Sequence, residues 1–85
     1  KNMGIVRPVL FNQMHEITGA AMPEAERNDY VSTYTGDGTY GALQATLKKL
    51  ERYKAIKQEM LQQGASEDDA SQAMAEIIRR ERAAQ

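Results

Sequence analysis

The sequence predicts an all-α fold of three to four helices, ending in a long C-terminal αα-hairpin. Three observations predict it. Residues 42–85 are rich in Ala, Gln, Lys, Arg and Glu, which favour helix, and hold a single glycine, Gly64, and no proline. Apolar residues recur at intervals of three and four, the period of one helical face. Start and stop residues stand where those runs begin and end. The alternative is a small α+β fold with a short strand or hairpin near residues 30–40, because Tyr30, Val31, Thr33, Tyr34 and Thr35 prefer strands.

The first helix is expected from about Pro8 to Thr18. Pro8 suits a first turn, where its missing N–H is no loss, and Gly19 suits the position just past the end. Val6, Leu10, Met14 and Ile17 share one face, with Phe11 and His15 on its flank. A second helix is expected from Pro23, with Glu24 and Glu26 in the first turn, where the helix dipole favours acids. Gly36-Asp37-Gly38 then breaks the chain.

The third helix runs from Thr39 or Tyr40 to Gln63, with Thr39 as its cap. Leu43, Leu47, Leu50 and Leu61 cluster in a narrow arc, and Tyr53, Ile56 and Met60 widen it. Lys54 and Lys57 fall inside that arc, so either they snorkel or the stripe divides into two patches. After Gly64-Ala65, Ser66 caps the last helix, and Asp69 stands where a capping box usually has Glu. Glu67, Asp68 and Asp69 occupy its first turn and Arg79, Arg80 and Arg82 its last. Ala70, Met74, Ile77 and Ile78 form its buried side.

Residues 1–38 therefore read as an N-terminal helix plus an irregular segment containing Gly and Pro, and residues 39–85 as the helical hairpin. Together they make one small domain, or a fragment of a longer chain, since the first residue is Lys1. At 85 residues, such a domain buries only about 60% of its unfolded surface. No cysteine is present to add a disulfide. No run approaches the roughly 18 apolar residues of a membrane span, and no signal-peptide pattern appears. The compartment is left open, with the cytoplasm the weakly favoured expectation.

Little chemistry is encoded. His15 is the only histidine, and it lacks the clustered ligands a metal site needs. A nucleophile needs an oriented base. Ser66 is better explained as a cap, and Ser32 and Ser71 have no such context. Gly36 through Gly41 faintly resembles a phosphate-cradling loop, but it lacks the lysine and the spacing. Met14, Met60 and Met74 fall on faces expected to be buried. No enzyme activity, cofactor or metal is expected.

The expected function is that of a non-catalytic helical interaction module, self-associating or docking into a larger protein assembly. Its contact face would be the arc of Leu43, Leu47, Leu50, Tyr53, Ile56 and Met60, unless the first helix covers it. The alternative is a nucleic-acid-binding accessory protein. Lys48, Lys49, Arg52, Lys54 and Lys57, against Glu51 alone, give residues 48–57 a net charge of +4, and Lys48, Lys49 and Arg52 would contact phosphates. The net charge of the whole chain is −1, which gives no general attraction for polyanions.

Overall fold

A computed structural model describes residues 3–36 and 38–84, with side chains described from Pro8 onward. Among them are four α-helices: α1 Met3–Thr18, α2 Glu24–Thr35, α3 Tyr40–Gln62 and α4 Glu67–Ala83. A single 3₁₀ turn, Gly19–Ala21, follows α1. The fold is all-α. The strand alternative is not supported, because Tyr30 to Thr35 continue α2. Tertiary burial overrides strand propensity there: Tyr30, Val31 and Thr35 lie on the side of α2 that faces the core.

α1 begins at Met3, so Pro8 lies inside the helix instead of opening it. There it removes one intrahelical bond. Leu10, Met14 and Ile17 are fully buried, as their spacing predicts. The side chain of Val6, expected on the same face, lies outside the described residues. Gly19 ends α1 with a φ of +51°, and an added Cβ would stand 3.0 Å from the Ser71 Oγ of α4. Two separate demands therefore keep this position a glycine.

The α2–α3 connection turns at Gly36 and Gly38, with φ values of +56° and +82°. The Gly38 N–H donates to the Thr35 carbonyl at 2.8 Å. Thr39 then caps α3, its hydroxyl accepting from the Ala42 N–H at 3.3 Å. The faint likeness to a phosphate-cradling loop thus comes from a turn and a helix cap. Asp37 lies outside the described residues. Ser66 caps α4 by accepting from the Asp69 N–H at 3.0 Å.

α1 and α3 form the central pair, each packed against the other helices. α2 and α4 flank them without direct backbone approach to each other. Arg79 meets Glu26 and Arg82 meets Asp29, so α2 and α4 run in the same direction. The core takes Leu10, Met14 and Ile17 from α1, Tyr30 and Val31 from α2, Leu43, Leu50 and Tyr53 from α3, and Met74, Ala75 and Ile78 from α4, with Met22 from the connection.

Three buried threonines sit in this core. Thr18 donates to the Met14 carbonyl at 2.7 Å, Thr35 to Val31 at 2.8 Å and Thr46 to Ala42 at 2.8 Å. Bonding back to the preceding turn lets a hydroxyl be buried without an orphaned donor. The accessible surface is 5414 Å², near the roughly 5,000 Å² that scaling gives for a compact monomer of this mass.

Candidate functional site

The apolar arc of α3 does not face outward as a unit. Leu43 is 5% exposed, Leu50 0% and Tyr53 4%. Leu47 and Met60 are half-buried against the same core. Only Ile56, at 37%, is exposed. Most of the expected contact face is therefore this domain's own interior, covered by α1 together with α2 and α4. The reason is geometric. α1, α2 and α4 all pack against α3.

What remains outward is smaller. Tyr40, Leu43, Gln44 and Leu47 line a shallow, mostly apolar depression of about 100 Å³ at the start of α3. Tyr40 is 76% exposed, and its hydroxyl accepts from the Gln44 side-chain amide at 2.6 Å. Ile56 follows Leu47 by two and a half turns, which places it on the other side of the helix. Leu47 and Ile56 thus lie on opposite flanks of one buried stripe, which Leu43, Leu50 and Tyr53 keep continuous.

The basic run of α3 also divides. Lys48 and Arg52 are exposed and make no ion pair among the described residues. Lys49 is half-buried, its ammonium 4.3 Å from the centre of the Tyr34 ring. Lys54 pairs with the Glu16 carboxylate at 3.2 Å across an exposed surface. Lys57 is 4% exposed. Its ammonium donates to the Glu16 carbonyl at 2.5 Å and to the Glu67 carboxylate at 2.5 Å. Of these five cations, two are exposed and without an ion pair among the described residues.

Lys57 stands at a polar junction of three helices. The Glu16 carbonyl belongs to the last turn of α1, where the helix dipole favours a cation. Glu67 belongs to the first turn of α4, where it favours an acid. The Glu67 carboxylate also accepts from Ser71 at 3.4 Å, and the Lys57 hydrogen bond holds its carboxyl below the ordinary value. An open cleft of about 380 Å³ beside this junction is lined by Glu16, Lys54, Lys57, Gln58, Leu61 and Glu67.

A second polar layer links α2, α3 and α4. Tyr53 donates to the Glu81 carboxylate. Burial, reinforced by that bond, raises the Tyr53 phenol above its usual value. Burial likewise pushes Tyr30 up to about 12. The Tyr30 hydroxyl faces Tyr53 but completes no hydrogen bond of normal geometry. Arg82 bonds Asp29 at 2.5 Å and the Thr33 hydroxyl at 3.2 Å.

Sequence reading missed Lys57 as a junction and all of these cross-links. Glu26–Arg79 and Asp29–Arg82 each span 53 residues, a separation with no local signature. The lysine inside an apolar arc was the one available sign. His15 is exposed on α1. Among the described residues no group of three His, Cys, Asp or Glu side chains is placed to hold a metal ion, and no helix is long and apolar enough to cross a membrane. No protein family, curated protein or solved structure matches the chain.

Proposed function

We propose that this chain is a non-catalytic helical interaction module that meets a protein surface, a second copy or another chain, through the start of α3. The observation that carries the reading is Tyr40, 76% exposed, standing at the edge of the depression formed with Leu43 and Leu47. A tyrosine supplies large contact area with a wet hydroxyl end, and such residues anchor interfaces. Leu50 and Tyr53 of the α3 arc are core and take no part. Sedimentation across a dilution series, with Tyr40→Ser beside the unmodified chain, tests the self-associating form. A mass that rises with concentration, and falls back to 9.5 kDa in the variant, is expected. A 9.5 kDa species at every concentration removes self-association from the reading.

A second reading, nucleic-acid binding, draws on Lys48 and Arg52, exposed and without ion pairs among the described residues. Its mark is affinity that falls steeply with salt and is lost on Lys48→Glu with Arg52→Glu. Association through Tyr40 is insensitive to both.

A further inference from the structure

Lys57 is the only buried charged side chain among the described residues. It reaches two acceptors on two different helices, the Glu16 carbonyl on α1 and the Glu67 carboxylate on α4. Its partner is unlike it: the Glu67 side chain is 67% exposed against 6% for Lys57. Water and protons therefore have free access to the anion but not to the cation. We propose that Lys57, Glu67 and the Glu16 carbonyl form an acid-released clasp, which docks the start of α4 onto the end of α1 at neutral pH and opens that end of the bundle when Glu67 is protonated.

The asymmetry of burial sets where opening begins. The cations of α4 that link it to α2, Arg79 and Arg82, lie near its far end, with side chains 46% and 33% exposed. Losing a carboxylate partner leaves them free to turn into water, so little is lost. Lys57 has no such exit. Once Glu67 is neutral, the ammonium is a buried charge with one carbonyl, and removing one partner of a buried pair is strongly destabilising. Relief requires the first turns of α4 to move away. Gly19 lies close enough to Ser71, beside the same junction, that an added Cβ would crowd it, and that approach opens with them.

The charged groups around the clasp are few. α1 offers Glu16, whose carboxylate is engaged by Lys54 of α3, and exposed His15. α4 offers exposed Asp68 and Asp69 beyond Glu67. The 3₁₀ turn Gly19–Ala21 carries no charge. Lys57 lowers the Glu67 carboxyl most, chiefly by its hydrogen bond, and the Ser71 hydroxyl adds a smaller lowering. A carboxyl depressed in the folded state stabilises above its ordinary value of 4.5, and that contribution is lost as pH falls through the depressed value. The clasp is closed at neutral pH and opens in the acid range.

Amide hydrogen exchange, corrected for intrinsic rates, tests this on the whole chain. From about pH 6 to about pH 3, protection of Ala70 to Met74 is expected to fall about tenfold or more before that of Ile78 to Arg82 changes. Glu67→Gln is expected to show the lowered protection already at the upper pH. Lys57→Met, which removes the buried charge, is expected to keep the start of α4 protected in acid. The proposal is overturned if Glu67→Gln matches the unmodified chain near neutrality, if Lys57→Met loosens equally, or if loosening starts at the far end. Should Lys57→Met not fold, the carboxyl resonance of Glu67 in the unmodified chain decides: it must titrate together with the loss of protection, and titration without that loss overturns the clasp.

Discussion

Arg79 of α4 holds Glu26 of α2 with two guanidinium nitrogens, at 2.7 and 2.8 Å, one on each carboxylate oxygen. The same arginine also donates to the Ala21 carbonyl at 3.3 Å. Two parallel bonds fix the geometry that a lysine at this position would leave loose. The pair spans helices whose backbones do not touch. Glu26→Gln should therefore lower stability by about 0.5 to 1 kcal/mol at neutral pH. Arg79 holds the Glu26 carboxyl below its ordinary value of 4.5, so its contribution is present above that value and disappears as pH falls through the lowered one. Thermal melts of the two proteins should converge in acid and in high salt. Melts that differ equally at neutral and acid pH would exclude this pair as the cause.

The two buried tyrosines should respond in opposite senses. The Tyr30 hydroxyl is buried beside Tyr53 without a hydrogen bond of normal geometry, so Tyr30→Phe removes a desolvated group that has little bonding to lose. It should be neutral or raise stability by up to about 1 kcal/mol. Tyr53→Phe breaks the bond to Glu81 and should cost about 0.5 to 1.5 kcal/mol. Chemical denaturation of both variants checks the pair, and equal losses would contradict the assignment of the bond to Tyr53.

Leu50 and Ile56 lie on the same predicted arc but in different places. Leu50 is fully buried and Ile56 is 37% exposed. Leu50→Ala should cost about 2 to 5 kcal/mol, and Ile56→Ala under about 1 kcal/mol. Leu50→Asp should unfold the chain and not merely separate copies of it. Circular dichroism at fixed concentration distinguishes the two, since a dissociated but folded protein keeps its helical signal.

Ser66→Ala should cost about 1 kcal/mol through loss of the bond from the Asp69 N–H. Thr39→Ala should have a similar effect at the start of α3. Thermal melts read both. An unchanged midpoint for Ser66→Ala would mean that water replaces the cap without loss.

Helix identity was legible where local chemistry decides it. Ser66 and Thr39 cap the helices they were expected to cap, and Leu10, Met14 and Ile17 share the buried face their spacing gives. Boundaries were less legible. Pro8 looked like a first residue because proline is tolerated there, yet it lies within α1, where neighbouring turns absorb one missing bond. Residues 30–35 carry side chains suited to strands, and only packing against α1 and α3 makes them helix. The site was less legible still. Periodicity shows that a face is apolar but not whether it is covered by its own chain or by another. Leu50 and Tyr53 turn inward because α1, α2 and α4 all pack on α3. Lys57 was anomalous in the sequence, but its two partners come from helices 41 and 10 residues away, and the chain's period carries no trace of them.

The close approach of Gly19 to Ser71 has a consequence for descent. Two positions 52 residues apart by their numbers share one small volume, so they are not free to drift separately. A side chain at position 19 must accept a left-handed backbone, which asparagine does more readily than most, and it must also displace a hydroxyl on another helix. Lineages that lose the glycine are expected to shrink position 71 to alanine or glycine at the same time, whereas those that keep it can vary position 71 within the size of serine. Paired change at these two positions, with Lys57 retained, is a mark by which a diverged cousin of this chain can be recognised when overall similarity has faded.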